Sequence, residues 1–212
     1  MKYLIREPKV KKDKNPLLLL LHGYGSNKED LFSFAPELPE EYYIISLQAP
    51  YSLAPYGGYA WYAINFDADM NKFSDNEQAV QSRELIVEFL DEIIEKYPID
   101  KNDISLIGFS QGSILSYSIA LSYPEKISRV VALSGYLNHD ILKEGYQNND
   151  FSRLNFFVSH GTVDQVIPIE WARKTPEFLN SLGIKNVYFE YPVGHGVAPK
   201  NFHDFKNWIL NN

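Results

Sequence analysis

Six short apolar runs, separated by longer segments of helical periodicity, most constrain what this chain can fold into. The runs are Leu17–Leu21, Tyr43–Leu47, Ile104–Ile107, Val130–Leu133, Asn155–Val158 and Val187–Tyr191. Most are built from leucine, β-branched or aromatic residues and are closed by Gly, Pro, Ser or His, as buried strands are. Between them, Asn76 to Tyr97 repeats apolar residues at three- and four-residue steps: Val80, Leu85, Ile86, Phe89, Leu90, Ile93 and Ile94. That spacing places one apolar stripe on a helix, with Asp75 as its N-cap and Pro98 as its stop. Three further helices are predicted. They are Gln111–Ser122, Pro168–Leu182 with Gly183 as C-cap, and Pro199–Leu210. Strand–helix–strand alternation calls for a mostly parallel sheet covered by helices on both faces. Lys2–Arg6 is expected as an antiparallel edge.

At 212 residues, with no repeat and no linker rich in Pro, Gly or Ser, the chain is expected to form one domain spanning 1–212. A net charge of -7 disfavours a phosphate backbone as partner, so no nucleic acid is expected. The chain has no cysteine, which excludes disulfides, thiolate metal sites and cysteine nucleophiles together. Met1–Lys14 is mixed and charged, and no signal peptide is expected there. The longest apolar run, Leu17–Leu21, is far short of the roughly 20 residues of a membrane-spanning helix, so no integral membrane association is expected. Ala49–Phe73 breaks the rhythm. It is rich in aromatics and poor in periodicity, and reads either as a functional segment or as a loop packing its own aromatics.

The chemistry centres on Gly108-Phe109-Ser110-Gln111-Gly112, which follows the strand Ile104–Ile107 and opens the helix Gln111–Ser122. A strand-to-helix turn this sharp strains the serine backbone, and glycines on either side leave it room. The serine hydroxyl is thereby presented at the carboxyl edge of the sheet, above a helix N-terminus suited to an oxyanion. Among the later histidines, His195 stands in Val193-Gly194-His195-Gly196, between the last strand and the last helix. His139, His160 and His203 lack that placement. Asp164 follows the strand Asn155–Val158 and precedes the Pro168 helix, whereas Asp140 and Asp150 follow no clear strand. The order Ser, acid, His matches a nucleophile, its orienting acid and its base. The oxyanion donors expected are the backbone N–H of Gln111 and that of Tyr24, in the glycine-rich turn His22-Gly23-Tyr24-Gly25 after Leu17–Leu21. No H-E-x-x-H spacing occurs, so no metal is expected.

These residues resemble a known family. Leu21-His22-Gly23-Tyr24-Gly25, Leu47-Gln48-Ala49-Pro50, Ala60-Trp61-Tyr62, Gly108-Phe109-Ser110-Gln111-Gly112, His160-Gly161-Thr162-Val163-Asp164 with Pro168, and Gly194-His195-Gly196 look like the phospholipase/carboxylesterase group, which includes the acyl-protein thioesterases. The resemblance runs from Leu17 to the C-terminus. It implies a single-domain α/β-hydrolase fold and a cytoplasmic serine esterase or thioesterase without cofactor. It also implies a small-molecule ester or thioester substrate and a substrate pocket at Trp61 and Tyr62. A monomer or a homodimer is expected, since the aromatics of Ala49–Phe73 could instead make a dimer interface. Ser113 replaces a further glycine, and Tyr62-Ala63 replaces the group's Phe-Asp, which leaves acyl-chain length open. A binder that keeps the fold without catalysis and a serine peptidase are the alternative readings.

Overall fold

The computed structural model describes residues 1–66 and 72–212. In chain order the elements are β1 (Tyr3–Arg6), β2 (Asn15–Leu21), α1 (Glu29–Phe32), β3 (Tyr43–Leu47), β4 (Tyr51–Ser52), β5 (Tyr59–Ala60), β6 (Ile64–Phe66) and β7 (Lys72–Ser74). They continue as α2 (Asn76–Lys96), β8 (Ile99–Phe109), α3 (Gln111–Ser122), β9 (Arg129–Leu133), β10 (Asn155–Gly161), α4 (Ile169–Arg173), α5 (Thr175–Ser181), β11 (Lys185–Tyr191) and α6 (Pro199–Asn211). Seven strands form one sheet in the order β1-β3-β2-β8-β9-β10-β11. All neighbours are parallel except β1, which pairs antiparallel with β3 through Tyr3↔Leu47 to Arg6↔Ile44.

The leucine run explains the layering. Leu17 to Leu21 are all fully buried, as expected of a strand with both faces covered. Side chains alternate across a strand, so Leu17, Leu19 and Leu21 join the apolar layer under α2, α3 and α5. Leu18 and Leu20 join the opposite layer, which holds Leu31 of α1 and Phe202, Phe205 and Ile209 of α6. The stripe on α2 buries Ile86, Phe89, Leu90 and Ile93. The Asp75 side chain caps that helix by accepting from Gln78 N–H at 3.0 Å.

Two elements depart from the sequence reading. The helix predicted over Pro168–Leu182 is two helices, α4 and α5, joined at Lys174. Pro176 is the cause, since its ring removes an N–H and would clash with the carbonyl one turn back. Gly183, with φ of 70°, closes α5 as expected. The segment Ala49–Phe73 is not a plain loop either. Its described residues form two short antiparallel hairpins, β4–β5 and β6–β7; residues 67–71 of that stretch lie outside the described residues. Among the described residues no helix is long and apolar enough to cross a membrane.

Candidate active site

Ser110 sits between β8 and α3 with φ of 53° and ψ of -116°, a conformation strained for any residue with a Cβ. The turn tolerates it because its flanks are bare. A Cβ on Gly108 would stand 2.5 Å from the Gly112 carbonyl carbon and from Ser116 Oγ. One on Gly112 would overlap Leu21 O and stand 2.8 Å from His22 O. Ser110 N–H donates to Leu133 O on β9 at 2.9 Å, and Ser110 O accepts from Ile114 N–H at 3.1 Å. The strained residue is thus held from both sides while its hydroxyl is free to meet the histidine.

The three residues singled out for catalysis converge from the carboxyl ends of three parallel strands. His195 Nε2 lies 2.9 Å from Ser110 Oγ, and His195 Nδ1 lies 2.7 Å from Asp164 Oδ2. The Asp164 side chain is fully buried. Its Oδ1 accepts from the N–H groups of Val166 at 2.8 Å and Ile167 at 3.0 Å. Burial works to raise the Asp164 pKa, but the Ile167 N–H, the His195 imidazole and the Val166 N–H outweigh it. The carboxyl is held below its usual range and stays ionised. With Oδ1 saturated by backbone donors, only Oδ2 faces His195, so Nδ1 carries the proton and Nε2 is left to accept from Ser110. Phe109 backs the imidazole, with ring centroids 5.0 Å apart.

The glycines around His195 do less than their sequence position suggested. A Cβ on Gly196 would meet nothing within 4 Å, and one on Gly194 would lie 3.8 Å from Val163 O. The glycine that the loop requires is Gly161, where a Cβ would overlap Val193 O and Gly194 O. Its bare backbone lets the end of β10 lie directly against the His195 loop.

Tyr24 and Gln111 also reach the site. Gln111 is the first residue of α3, so its N–H has no partner one turn back. Tyr24 N–H makes no turn or loop bond to a backbone carbonyl among the described residues. The loop carrying Tyr24 is pinned by His22. Its Nδ1 lies 2.7 Å from Gly23 O and its Nε2 accepts from Ala49 N–H at 3.1 Å. These partners place the ring proton on Nδ1. Burial first of all lowers the His22 pKa, so the ring is neutral and serves as a structural clasp.

The two residues assigned to the substrate pocket part company. Tyr62 lines a cavity of about 540 Å³ that opens over Ser110 and His195. Trp61 does not line it: it is fully buried, and its indole N–H donates to His22 O at 2.8 Å. A buried indole needs a partner for its one N–H, and here the partner is the backbone of the loop that carries Tyr24. Trp61 therefore acts from behind the site and forms no part of its wall.

The other walls had no signal in the sequence. They come from Ile64 and Ser74 of the second hairpin, Ile114 of α3, Tyr136 after β9, Val166 and Ile167 of the Asp164 turn, and Trp171 of α4. Trp171 stands edge-on to Tyr136, with centroids 4.9 Å apart. Burial raises the phenol pKa of both Tyr62 and Tyr136, so both stay neutral. Among the described residues the wall holds no Asp, Glu, Lys or Arg. The Gln111 side chain is likewise invisible to motif reading. Its Oε1 accepts from Trp61 N–H at 3.0 Å and its Nε2 donates to Tyr62 O at 2.8 Å. The residue that offers an N–H to the site thus also fastens the pocket wall to the elbow. Among the described residues no three His, Asp or Glu side chains are placed to hold a metal ion.

A parallel sheet with helices on both faces, a strained serine at a strand-to-helix turn and a histidine on the last strand's loop define an α/β-hydrolase. Residues 4–212 match the family model described as Phospholipase/Carboxylesterase, and the chain belongs to that family. Acyl-protein thioesterase 1 of Debaryomyces hansenii is 27% identical over 220 residues, covering 97% of this chain and 94% of that protein. Its counterpart in Candida albicans is 28% identical, covering 98% and 96%. In fold, the crystal structure of the Bacillus cereus carboxylesterase superposes with a TM-score of 0.84 at 22% identity, over 100% of this chain and 94% of that one.

Proposed function

We propose that the chain hydrolyses carboxylic esters or thioesters through an acyl-enzyme on Ser110, with His195 as base and Asp164 as the acid that orients it. The observation that carries this reading is the unbroken line from Ser110 Oγ through His195 to a buried, backbone-saturated Asp164. His195 Nε2 takes the Ser110 proton as Oγ bonds to the substrate carbonyl carbon. The carbonyl oxygen, now an oxyanion, is held by the N–H groups of Tyr24 and Gln111. The alcohol or thiol then leaves with the proton from His195. Water, deprotonated by the same imidazole, attacks the acyl-enzyme, and its proton passes to Ser110 as the acid departs. The neutral, largely apolar wall supports an uncharged acyl group beside the scissile bond. A non-catalytic binder is less well supported, since binding alone has no use for this proton relay. A peptidase needs a site for a peptide's charged terminus, and the described residues of the cavity wall include no Asp, Glu, Lys or Arg to form one.

Two measurements test the reading. A fluorophosphonate is expected to add once per chain, at Ser110, and to leave Ser110→Ala unlabelled. p-Nitrophenyl esters from acetate to palmitate are expected to be turned over, with the best chain length reporting the usable depth of the cavity. A folded protein that neither labels nor turns over any ester refutes the proposal. The rate constant kcat/KM is expected to fall on acidification, because an imidazole acts as base only while neutral. The held-down Asp164 stays charged through that range, so the fall reports His195. A flat profile between about pH 5 and 8 counts against His195 as base.

A further inference from the structure

His160, which the reaction above does not use, lies buried against the acid. It is the penultimate residue of β10, with its side chain fully enclosed. Its Nε2 lies 2.9 Å from Ile167 O and 3.2 Å from Asp164 Oδ2, the same oxygen that faces His195 Nδ1. A carbonyl and a carboxylate only accept, so Nε2 carries the hydrogen. Nδ1 is buried with no hydrogen-bond partner among the described residues, which fits an unprotonated nitrogen. The ring is thus set as a donor on one side only.

We propose that His160 is a positioning residue for the acid, holding the Asp164–Ile167 turn closed and sharing the charge on Oδ2 with His195; this rests on the catalytic reading of Ser110, His195 and Asp164. The peptide of Ile167 is gripped at both ends. Its N–H goes to Asp164 Oδ1 and its C=O receives the His160 N–H. With the turn fixed, Oδ2 has no freedom to swing from His195, and the same ring edge presents partial positive charge to that oxygen. Filling space would require neither contact. Buried polar groups that orient a reacting group in this way act through geometry, and small displacements of such groups are costly.

The other charged groups beside His160 are Glu190, its register partner on β11, and Arg173 of α4, which pairs with Glu190 at 2.7 Å, with Tyr188 also bonded to that carboxylate. None of these changes in the variants below.

The test follows the ring resonances of His195 by 1H–15N NMR, together with ester kinetics, in wild type, His160→Leu, His160→Asn and His160→Gln. Leu has no donor, and the Asn amide is too short to reach the Nε2 position. The Gln amide does reach it. Leu and Asn are expected to broaden or lose the His195 Nδ1–H signal, because the Asp164 carboxylate is no longer held against it. They are also expected to lower kcat by about 10- to 100-fold with little change in KM. Gln is expected to recover most of each effect. Asn decides the question if Leu does not fold. An unmoved His195 signal in a folded Leu or Asn variant overturns the proposal, as does a Gln variant no better than Leu. Because the resonance is read without turnover, this failure is separate from that of the esterase reading, which the Ser110 labelling decides.

Discussion

Asp164→Asn is expected to leave the fold intact and to lower kcat by about 10⁴-fold, the scale seen when a serine-hydrolase acid becomes an amide. The structure supplies the reason. Oδ1 of Asp164 accepts from Val166 N–H and Ile167 N–H, and only an oxygen can do that. The Asn side chain must therefore place its carbonyl oxygen at the Oδ1 position, leaving its NH2 at the position of Oδ2. That NH2 faces His195 Nδ1, which can then only accept. The imidazole is driven to the tautomer with hydrogen on Nε2, which points at Ser110 Oγ. A nitrogen that already carries its hydrogen cannot take another from the serine without becoming an imidazolium that nothing now stabilises. The same NH2 is brought against the His160 N–H, 3.2 Å from that position in the wild type, so some loss of stability accompanies the loss of rate. Single-turnover acylation of Asp164→Asn by an activated ester, with thermal melting alongside, checks both parts. A variant with kcat within tenfold of wild type removes Asp164 from the role of acid.

How much of this was legible in the sequence depended on whether a residue's task was set locally or by its neighbours across the fold. Leu17–Leu21 showed itself as a buried strand because five apolar residues in a row suit two covered faces. Asp75, Pro98 and Gly183 marked helix ends because caps and stops are backbone chemistry. Ser110, Asp164 and His195 could be named because each sits just past a strand, and parallel strands bring their carboxyl ends together. Trp61 was misplaced because sequence shows an aromatic near the site but not which way its N–H must point. The hydrogen bond to His22 O turned it inward. Pro176 was read through as helix because the surrounding residues keep helical spacing, although its ring alone divides α4 from α5. Tyr136, Trp171 and Ile114 carried no signal, since a cavity wall is assembled from elements distant in the chain and has no period of its own. The hairpins within 49–73 were hidden for a related reason. Their strands are two or three residues long, too short to show alternation, and they are fixed by contacts to Gln111, Gln78 and Ser82.

Those contacts also couple the elbow to the segments around it. Gln111 ties the backbone of Trp61 and Tyr62 to the first turn of α3. Trp61 in turn ties His22 O, and His22 ties Ala49. The elbow, the Tyr24 loop and the pocket wall are therefore one connected hydrogen-bond network, and a displacement at any member is passed to the others.

Gly112→Ala exposes that coupling most directly, and is expected to lower kcat/KM by at least about 100-fold and to destabilise the fold by about 1–3 kcal/mol. The added Cβ would overlap Leu21 O, stand 2.5 Å from the Leu21 carbonyl carbon and 2.8 Å from His22 O. The Leu21 atoms belong to β2, a fully buried strand paired on both sides with β3 and β8, and His22 directly follows it. No side chain is present to rotate away. Either α3 retreats, carrying Gln111 N–H and Ser110 with it, or the end of β2 retreats and carries the Tyr24 loop. Both routes open the distance between the two N–H groups that are to share one oxyanion, and donors aimed at a single atom lose effect steeply when one is moved. Gly196→Ala is the matched control. Its Cβ would meet nothing within 4 Å although it adjoins His195, so its kcat/KM and melting temperature are expected to stay close to wild type. Steady-state kinetics on one p-nitrophenyl ester, read beside thermal melts of both variants, separates the two glycines. If Gly112→Ala behaves like Gly196→Ala, the close approach of the elbow to the oxyanion loop is not what sets the rate. If only Gly112→Ala fails, and by KM little changed and kcat collapsed, the loss lies in stabilising the oxyanion and not in binding the ester.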